Sequence, residues 1–242
     1  MAGPRPAAPR RRSIFTARLV NTAAAGEVPR VADDMRQAIL AGDEPPGTLI
    51  PIEEVARFFG VSQIPVREAL KVLLGEGLVE HVPHVGYSVA KLTFREFREL
   101  YDVRQALEAS ALRAAVLGAG PADDAEVLDA HEALTAAIAA GDERGYHAAS
   151  RRFHMALIAP AAMQRLLHMY ETAWNMTEPA RPMARVDADG RALLHADHDR
   201  LIEAFLARDA VRLVAESQAH YEHLGAAIAL LADSPDLFRP AQ

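Results

Sequence analysis

Three histidines carry the clearest chemical signal in this 242-residue chain, because each falls on an apolar stripe with helical spacing. Ser150, His154, Leu157 and Ile158 share one such face, Leu194, His198, Leu201 and Phe205 a second, and Leu213, Ser217, His220, Leu224, Ile228 and Leu231 a third. Three imidazoles are thereby directed into one helical interior. A neutral imidazole is a good ligand for a divalent transition metal there, and an unpartnered one costs free energy. The residues alone leave two readings open: a metal centre, or core histidines satisfied by backbone carbonyls. Arg104 is equally two-sided. Glu108 follows four residues later, which suits a helix-surface ion pair worth roughly 0.2–0.5 kcal/mol, while a guanidinium fork also suits a small organic acid.

The elements that must position these groups begin at Thr93, where Thr93 followed by Glu96 predicts a capping-box helix start. Helices are expected near residues 94–117, 122–139, 143–158, 161–178, 188–206 and 209–232. Gly118-Ala119-Gly120-Pro121, Ala140-Gly141-Asp142, Ala159-Pro160, the stretch 179–188 and Arg208-Asp209 separate them. Residues 93–232 therefore read as an all-helical bundle of about six helices, with 233–242 as a C-terminal tail. From Thr93 onward 15 basic face 23 acidic side chains, a balance unsuited to nucleic acid.

Upstream, residues 53–74 predict two short helices joined by a tight turn, the form of a helix-turn-helix. Ile52, Val55 and Ala56 share the first helix's apolar face, and Gly60 accepts the left-handed backbone that reverses the chain. Ser62 is placed to cap the second helix, whose first turn tolerates Pro65 because the missing N–H has no intrahelical partner there. Val66, Leu70, Leu73 and Leu74 are expected in the core, while Gln63, Arg67 and Lys71 repeat every fourth residue on another face. Such a polar stripe suits a major-groove reader; an ordinary solvated face is the plain alternative. Residues 75–90 read as two β-prone runs around Pro83, His84 and Gly86, a hairpin wing. Residues 25–92 hold six basic against ten acidic side chains, so DNA affinity is expected to be modest and salt-sensitive.

Composition narrows the class. Half of the residues are hydrophobic, enough for two small cores, and cysteine is absent, which excludes disulfides and thiolate metal sites. No apolar run approaches the ~20 residues of a membrane span. Residues 1–24 carry five arginines and no acid and are expected to be a disordered basic tail. Arg10-Arg11-Arg12 lacks the apolar segment that an export signal needs after it, and the tail is expected to touch DNA phosphates or do nothing.

The unit from about Val31 to Ala90 resembles the winged helix-turn-helix of GntR-family bacterial transcription regulators. Gly60-Val61-Ser62, the run Pro65 to Leu70, Glu76-Gly77-Leu78-Val79 and the wing glycine Gly86 match that family's pattern. The segments Tyr101 to Glu108, Arg152 to Leu157 and Asp197 to Ala204, with His220, resemble the FCD effector domain of the FadR subfamily. The resemblance implies a cytoplasmic homodimer that is not an enzyme, reads a short palindromic DNA operator and senses a small organic acid. DNA contacts would come from Ser62, Gln63, Ile64, Arg67, Lys71 and Gly86. A divalent transition metal, zinc or nickel, would sit on His154, His198 and His220 at the floor of the effector pocket. Arg104 would line that pocket, with Tyr101, Ser150 and Asn175 beside Trp174 as further contacts. Metal-binding members have a carboxylate four residues before the first histidine; Ser150 stands there, which implies a weakly held ion. Gln63 and Ile64 stand where the family commonly has arginine and threonine, which implies a different half-site.

Two other readings stay open. His198-Asp199 resembles the dipeptide of the HD phosphohydrolases, and the helical domain could be a metal-free dimerisation module. His195, His223 and Asp199 fall off the main stripes and are expected around the ligands or on the surface.

Overall fold

Residues 15, 16, 19, 28–42 and 44–240 are described by the computed structural model, and they form a mainly helical chain. It divides into two units, one ending at Ala90 and the other beginning at Lys91. The first comprises α1 (Val28–Leu40), β1 (Leu49–Ile50), α2 (Ile52–Phe59), α3 (Gln63–Gly75), β2 (Val79–Val82) and β3 (Gly86–Val89). β2 and β3 form the expected hairpin, with Val79 opposite Val89 and Val82 opposite Gly86. Leu49 and Ile50 of β1 add a third antiparallel strand on the other edge of β3, giving the order β1-β3-β2. Neither α1 nor β1 was legible beforehand.

Local chemistry accounts for the turn. α2 ends on Gly60 at φ +69°, and the Gly60 N–H returns to the carbonyls of Ala56 and Arg57. Val31, Met35 and Ile39 of α1 meet Val55 and Phe59 of α2 and Val66, Leu70 and Leu73 of α3 in one core. Arg36 of α1 donates to both carboxylate oxygens of Glu76 at 2.6 and 2.7 Å, tying that helix to the end of α3.

Three expectations for this unit need correction. Ser62 occupies the N-cap position of α3, but its side chain makes no capping hydrogen bond. Leu74 is exposed rather than in the core, because it lies one residue past Leu73, about 100° round the helix. Much of the expected disordered basic tail lies outside the described residues; within it, Phe15 and Leu19 are buried in this core rather than disordered.

The second unit contains α4 (Phe94–Gly118), α5 (Pro121–Ala140), α6 (Glu143–Ile158), α7 (Gln164–Thr177), α8 (Ala188–Leu206) and α9 (Ala210–Ala229). Thr93 and Glu96 form the anticipated capping box, with Glu96 N–H on Thr93 Oγ1 at 3.2 Å and Thr93 N–H on Glu96 Oε2 at 2.7 Å. Asp142, Asp187 and Asp209 cap α6, α8 and α9 by accepting from backbone N–H groups three residues on. α7 starts later than expected, at Gln164, because a 3-10 turn at Ala159–Ala161 carries Pro160.

The C-terminal segment is no free tail. Leu237 and Phe238 are buried, and the Phe238 ring meets Phe94 at 5.3 Å and Phe97 at 5.1 Å between centroids. Arg239 N–H donates to Leu92 O at 2.9 Å, and its guanidinium reaches Glu96 at 2.8 Å. The segment therefore closes over the start of α4.

Candidate functional site

α6, α8 and α9 bring His154, His198 and His220 together as their apolar stripes require. All three are buried, and one ligand nitrogen of each lies within 4.8 Å of the others. Ring centroids are 5.3 Å apart for His154 and His198, 5.1 Å for His154 and His220, and 4.8 Å for His198 and His220. Two carboxylates that the sequence reading overlooked orient the rings. Glu108 of α4 faces His154 Nδ1 at 3.4 Å, and Asp197 of α8 faces His220 Nδ1 at 3.3 Å. A carboxylate only accepts, so each Nδ1 carries the proton in these contacts, which leaves Nε2 as the atom open to another partner. His223 lies beyond them, with Nδ1 2.9 Å from Asp197.

Glu108 also accepts from Ser217 Oγ at 3.2 Å, from Tyr221 OH at 2.9 Å and from Tyr170 OH. Burial alone would raise its pKa, but His154 and the two tyrosine hydroxyls hold it down at about 2. Asp197 is likewise held below the usual range, against burial, by His220 and His223. Glu108 thus serves His154, and no ion pair between it and Arg104 forms.

His198 tests whether a metal fits. It is 1% exposed, and neither ring nitrogen has a hydrogen-bond partner. Burial first, then His220, His154, His195 and His131, push its pKa well below the ordinary value, so the ring is neutral. An orphaned neutral imidazole facing two others with free Nε2 atoms matches the donor set of a divalent transition ion. Backbone carbonyls satisfy none of the three rings among the described contacts.

A small cavity of about 30 Å³ lies beside the triad, lined among others by Tyr101, Arg104, Ser150, Trp174 and Thr177. Ser150 lies one turn before His154 and offers only a hydroxyl. Arg104 is 3% exposed, with its guanidinium 3.5 Å from the Trp174 ring centre, 4.6 Å from that of Tyr101 and 3.5 Å from Thr177 Oγ1. Its Nε has no partner, and among the described residues no carboxylate forms an ion pair with it. Burial works against its charge, but Tyr221, Tyr101, Tyr170 and Glu108 raise its pKa above the ordinary value, so it remains a cation. A buried cation stabilised mainly by aromatic faces has capacity for an anion. Across the cavity, Glu178 accepts from Trp174 Nε1 and pairs with His147 at 2.5 Å, a group the sequence reading missed.

Asn175 is corrected: it does not line the cavity, and its side-chain oxygen accepts from Arg151 at 2.6 Å. One residue after Trp174, it faces about 100° away round α7. Asp199 is exposed and pairs with His131 at 3.3 Å, away from the triad.

In the first unit, Gln63 and Arg67 of α3 border one groove with Gly86 and Tyr87 of the wing and Arg57 of α2. Arg67 reaches Gln63 Oε1 at 3.5 Å, and Ile64 is 71% exposed. Lys71 is exposed and paired with Glu68 at 2.8 Å. Gly86 sits at φ +116°, a backbone that L side chains rarely adopt.

Comparison with known proteins settles the class. The FCD domain matches residues 99–223, and the family described as bacterial regulatory proteins, gntR family, matches residues 28–89. This chain is a GntR-family transcription regulator with an FCD domain. The regulator is 37% identical over 145 residues to the "Uncharacterized HTH-type transcriptional regulator in the TAR-I ttuE-ttuC' intergenic region" of Agrobacterium vitis, covering 59% of this chain and 85% of that one. It is 35% identical over 158 residues to the "Probable D-xylose utilization operon transcriptional repressor" of Paenarthrobacter nicotinovorans, covering 65% and 66%. The solved structure of E. coli McbR/YncC shares its fold, with a TM-score of 0.76 at 23% identity, covering 86% of this chain and all of that one. Its relatives are regulators, not enzymes, so His198-Asp199 is no phosphohydrolase motif. No helix among the described residues is long and apolar enough to cross a membrane.

Proposed function

We propose that this GntR-family regulator is a homodimer that reads a short palindromic operator and is tuned by a small carboxylate held on a metal-assisted site. The buried guanidinium of Arg104, with no ion-pair partner among the described residues, beside three convergent imidazoles carries the reading. His154, His198 and His220 would hold a divalent ion such as zinc or nickel, which supplies a Lewis-acidic positive charge when bound. The residues around it do the rest. Glu108 and Asp197 keep the protons on Nδ1 of His154 and His220, Arg104 receives one carboxylate edge, and Tyr101 and Trp174 exclude water from that face. Ser150 provides no charge where the family pattern has a carboxylate, so the three histidines would hold an ion weakly.

For DNA, Arg67 and Gln63 are the direct base readers, Ile64 meets a thymine methyl, and Ser62, Lys71 and the Gly86 wing contact the backbone. The uncapped hydroxyl of Ser62 and the exposure of Ile64 support these roles. The test is selection of bound sequences from a random DNA pool, followed by titration of the selected operator with and without zinc and small organic acids. A two-fold-symmetric site whose affinity changes with an acid is expected. Recovery of no symmetric site rejects the dimer reading, and an operator affinity indifferent to every acid rejects the sensor.

A further inference from the structure

A second group of ligating side chains stands on the far side of His198. His131 of α5 and His195 of α8 stack face to face, with centroids 4.6 Å apart and planes inclined by 4°. Asp199, one turn beyond His195 on α8, places Oδ1 3.3 Å from His131 Nε2. One ligand atom from each of the three lies within 4.8 Å of the others. Thr135 Oγ1 meets His195 Nε2 at 3.2 Å, while His131 Nε2 and His195 Nδ1 are buried without a hydrogen bond. None of the three lines the effector cavity. Phe153 fills the gap, 5.8 Å from the His131 ring and 4.7 Å from that of His198.

We propose that His131, His195 and Asp199 form a second divalent-metal site, open to solvent and separate from the buried triad. Two imidazoles and one carboxylate are a donor set for zinc and similar ions, with water filling the remaining positions. Asp199 is 59% exposed, so an ion reaches the site without opening the core. Imidazole lone pairs lie in the ring planes, so two stacked rings cannot both point at one ion. One ring must turn about its Cβ–Cγ bond, a broad torsion that the half-buried setting permits. Asp199 supplies the negative charge that the triad lacks at Ser150.

The full-length protein, stripped with a chelator, is titrated to saturation with zinc alone, and bound metal is measured at equilibrium against a chelating dye. Two ions per chain are expected in wild type and one in His220→Ala, which cripples only the triad. Asp199→Asn, a surface change of equal size, is expected to weaken one of the two ions by roughly tenfold or more. The histidine ring resonances of His131 and His195 should shift as that ion binds, a readout that does not need an altered chain. A single ion that follows Asp199 and ignores His220 supports this site while rejecting the triad. A single ion lost in His220→Ala, no bound ion at all, or two ions indifferent to Asp199→Asn overturns the proposal.

Discussion

Arg104 carries the proposed ligand class. Its charge is held among aromatic faces and a threonine hydroxyl, and an acid that accepts from it gains a charge-assisted bond of roughly 1.5–3 kcal/mol. Arg104→Ala should therefore weaken acid binding by about tenfold to a hundredfold while leaving acid-free operator affinity nearly unchanged; calorimetry and operator titration measure the two. An acid response equal to wild type would remove Arg104 from the site. Ser150 offers the converse experiment. Because it lines the cavity one turn before His154, Ser150→Asp adds a carboxylate where the triad has none, and zinc affinity against a chelating dye should rise. His198→Ala removes an orphaned imidazole, and zinc should be lost from the triad; equal affinity in that variant would end the metal reading.

At the scale of elements, the proposed reading gives α3 the sequence preference, and the turn at Gly60 leads into α3. Gln pairs bidentately with adenine and Arg with guanine, so Gln63→Arg should shift the selected bases toward guanine at one position of each half-site. Identical selected sequences would rule Gln63 out as a reader. Gly60 stands at φ +69° with open space around a Cβ, so Gly60→Ala meets no clash and its penalty is that of the backbone alone, about 1 kcal/mol. Thermal unfolding gives the value. The closing segment after α9 matters more: Phe238→Ala removes a buried ring packed on Phe94 and Phe97 and should destabilise the second unit by about 3–5 kcal/mol.

For the whole molecule, stability and regulation are both linked to binding equilibria. Burial holds His198 and His220 below the ordinary histidine value of 6.5, so below that pH the unfolded chain binds protons that the folded one refuses, and stability falls. Glu108 adds a second window. Its pKa is about 2 folded against 4.5 in its ordinary state, so its contribution is complete above 4.5 and is lost as pH falls toward 2. Denaturant midpoints of chelator-stripped protein between pH 8 and 3 should show both declines, and Glu108→Gln should flatten the lower one. A flat profile through pH 6.5 would contradict the buried neutral histidines. Under the proposed regulation, operator and acid would alter each other's affinity by the same factor. Only Ala90, Lys91, Leu92 and Thr93 separate β3 from α4, which carries Arg104, so the connection between reader and sensor is short.

Much of this was determined by local chemistry and periodicity. Gly60, Pro65 and the Thr93–Glu96 box punctuate the chain wherever it is placed, and the stripes holding His154, His198 and His220 can face only inward once their helices pack. The residue pattern of α3 and the wing is enough to carry the family. Residues whose role depends on what lies across the interior were a different matter. Glu108 looked like a surface partner for Arg104, because sequence spacing measures distance along one helix and says nothing of Tyr170, Ser217 and Tyr221 on two others. Asp197 sat one residue from His198, and only the packing of α8 against α9 turned it toward His220. Leu237 and Phe238 looked like part of a tail because a short segment has no period to read. The stacking of His131 on His195 likewise joins helices far apart in sequence, and such contacts are set by packing, which a one-dimensional pattern does not contain.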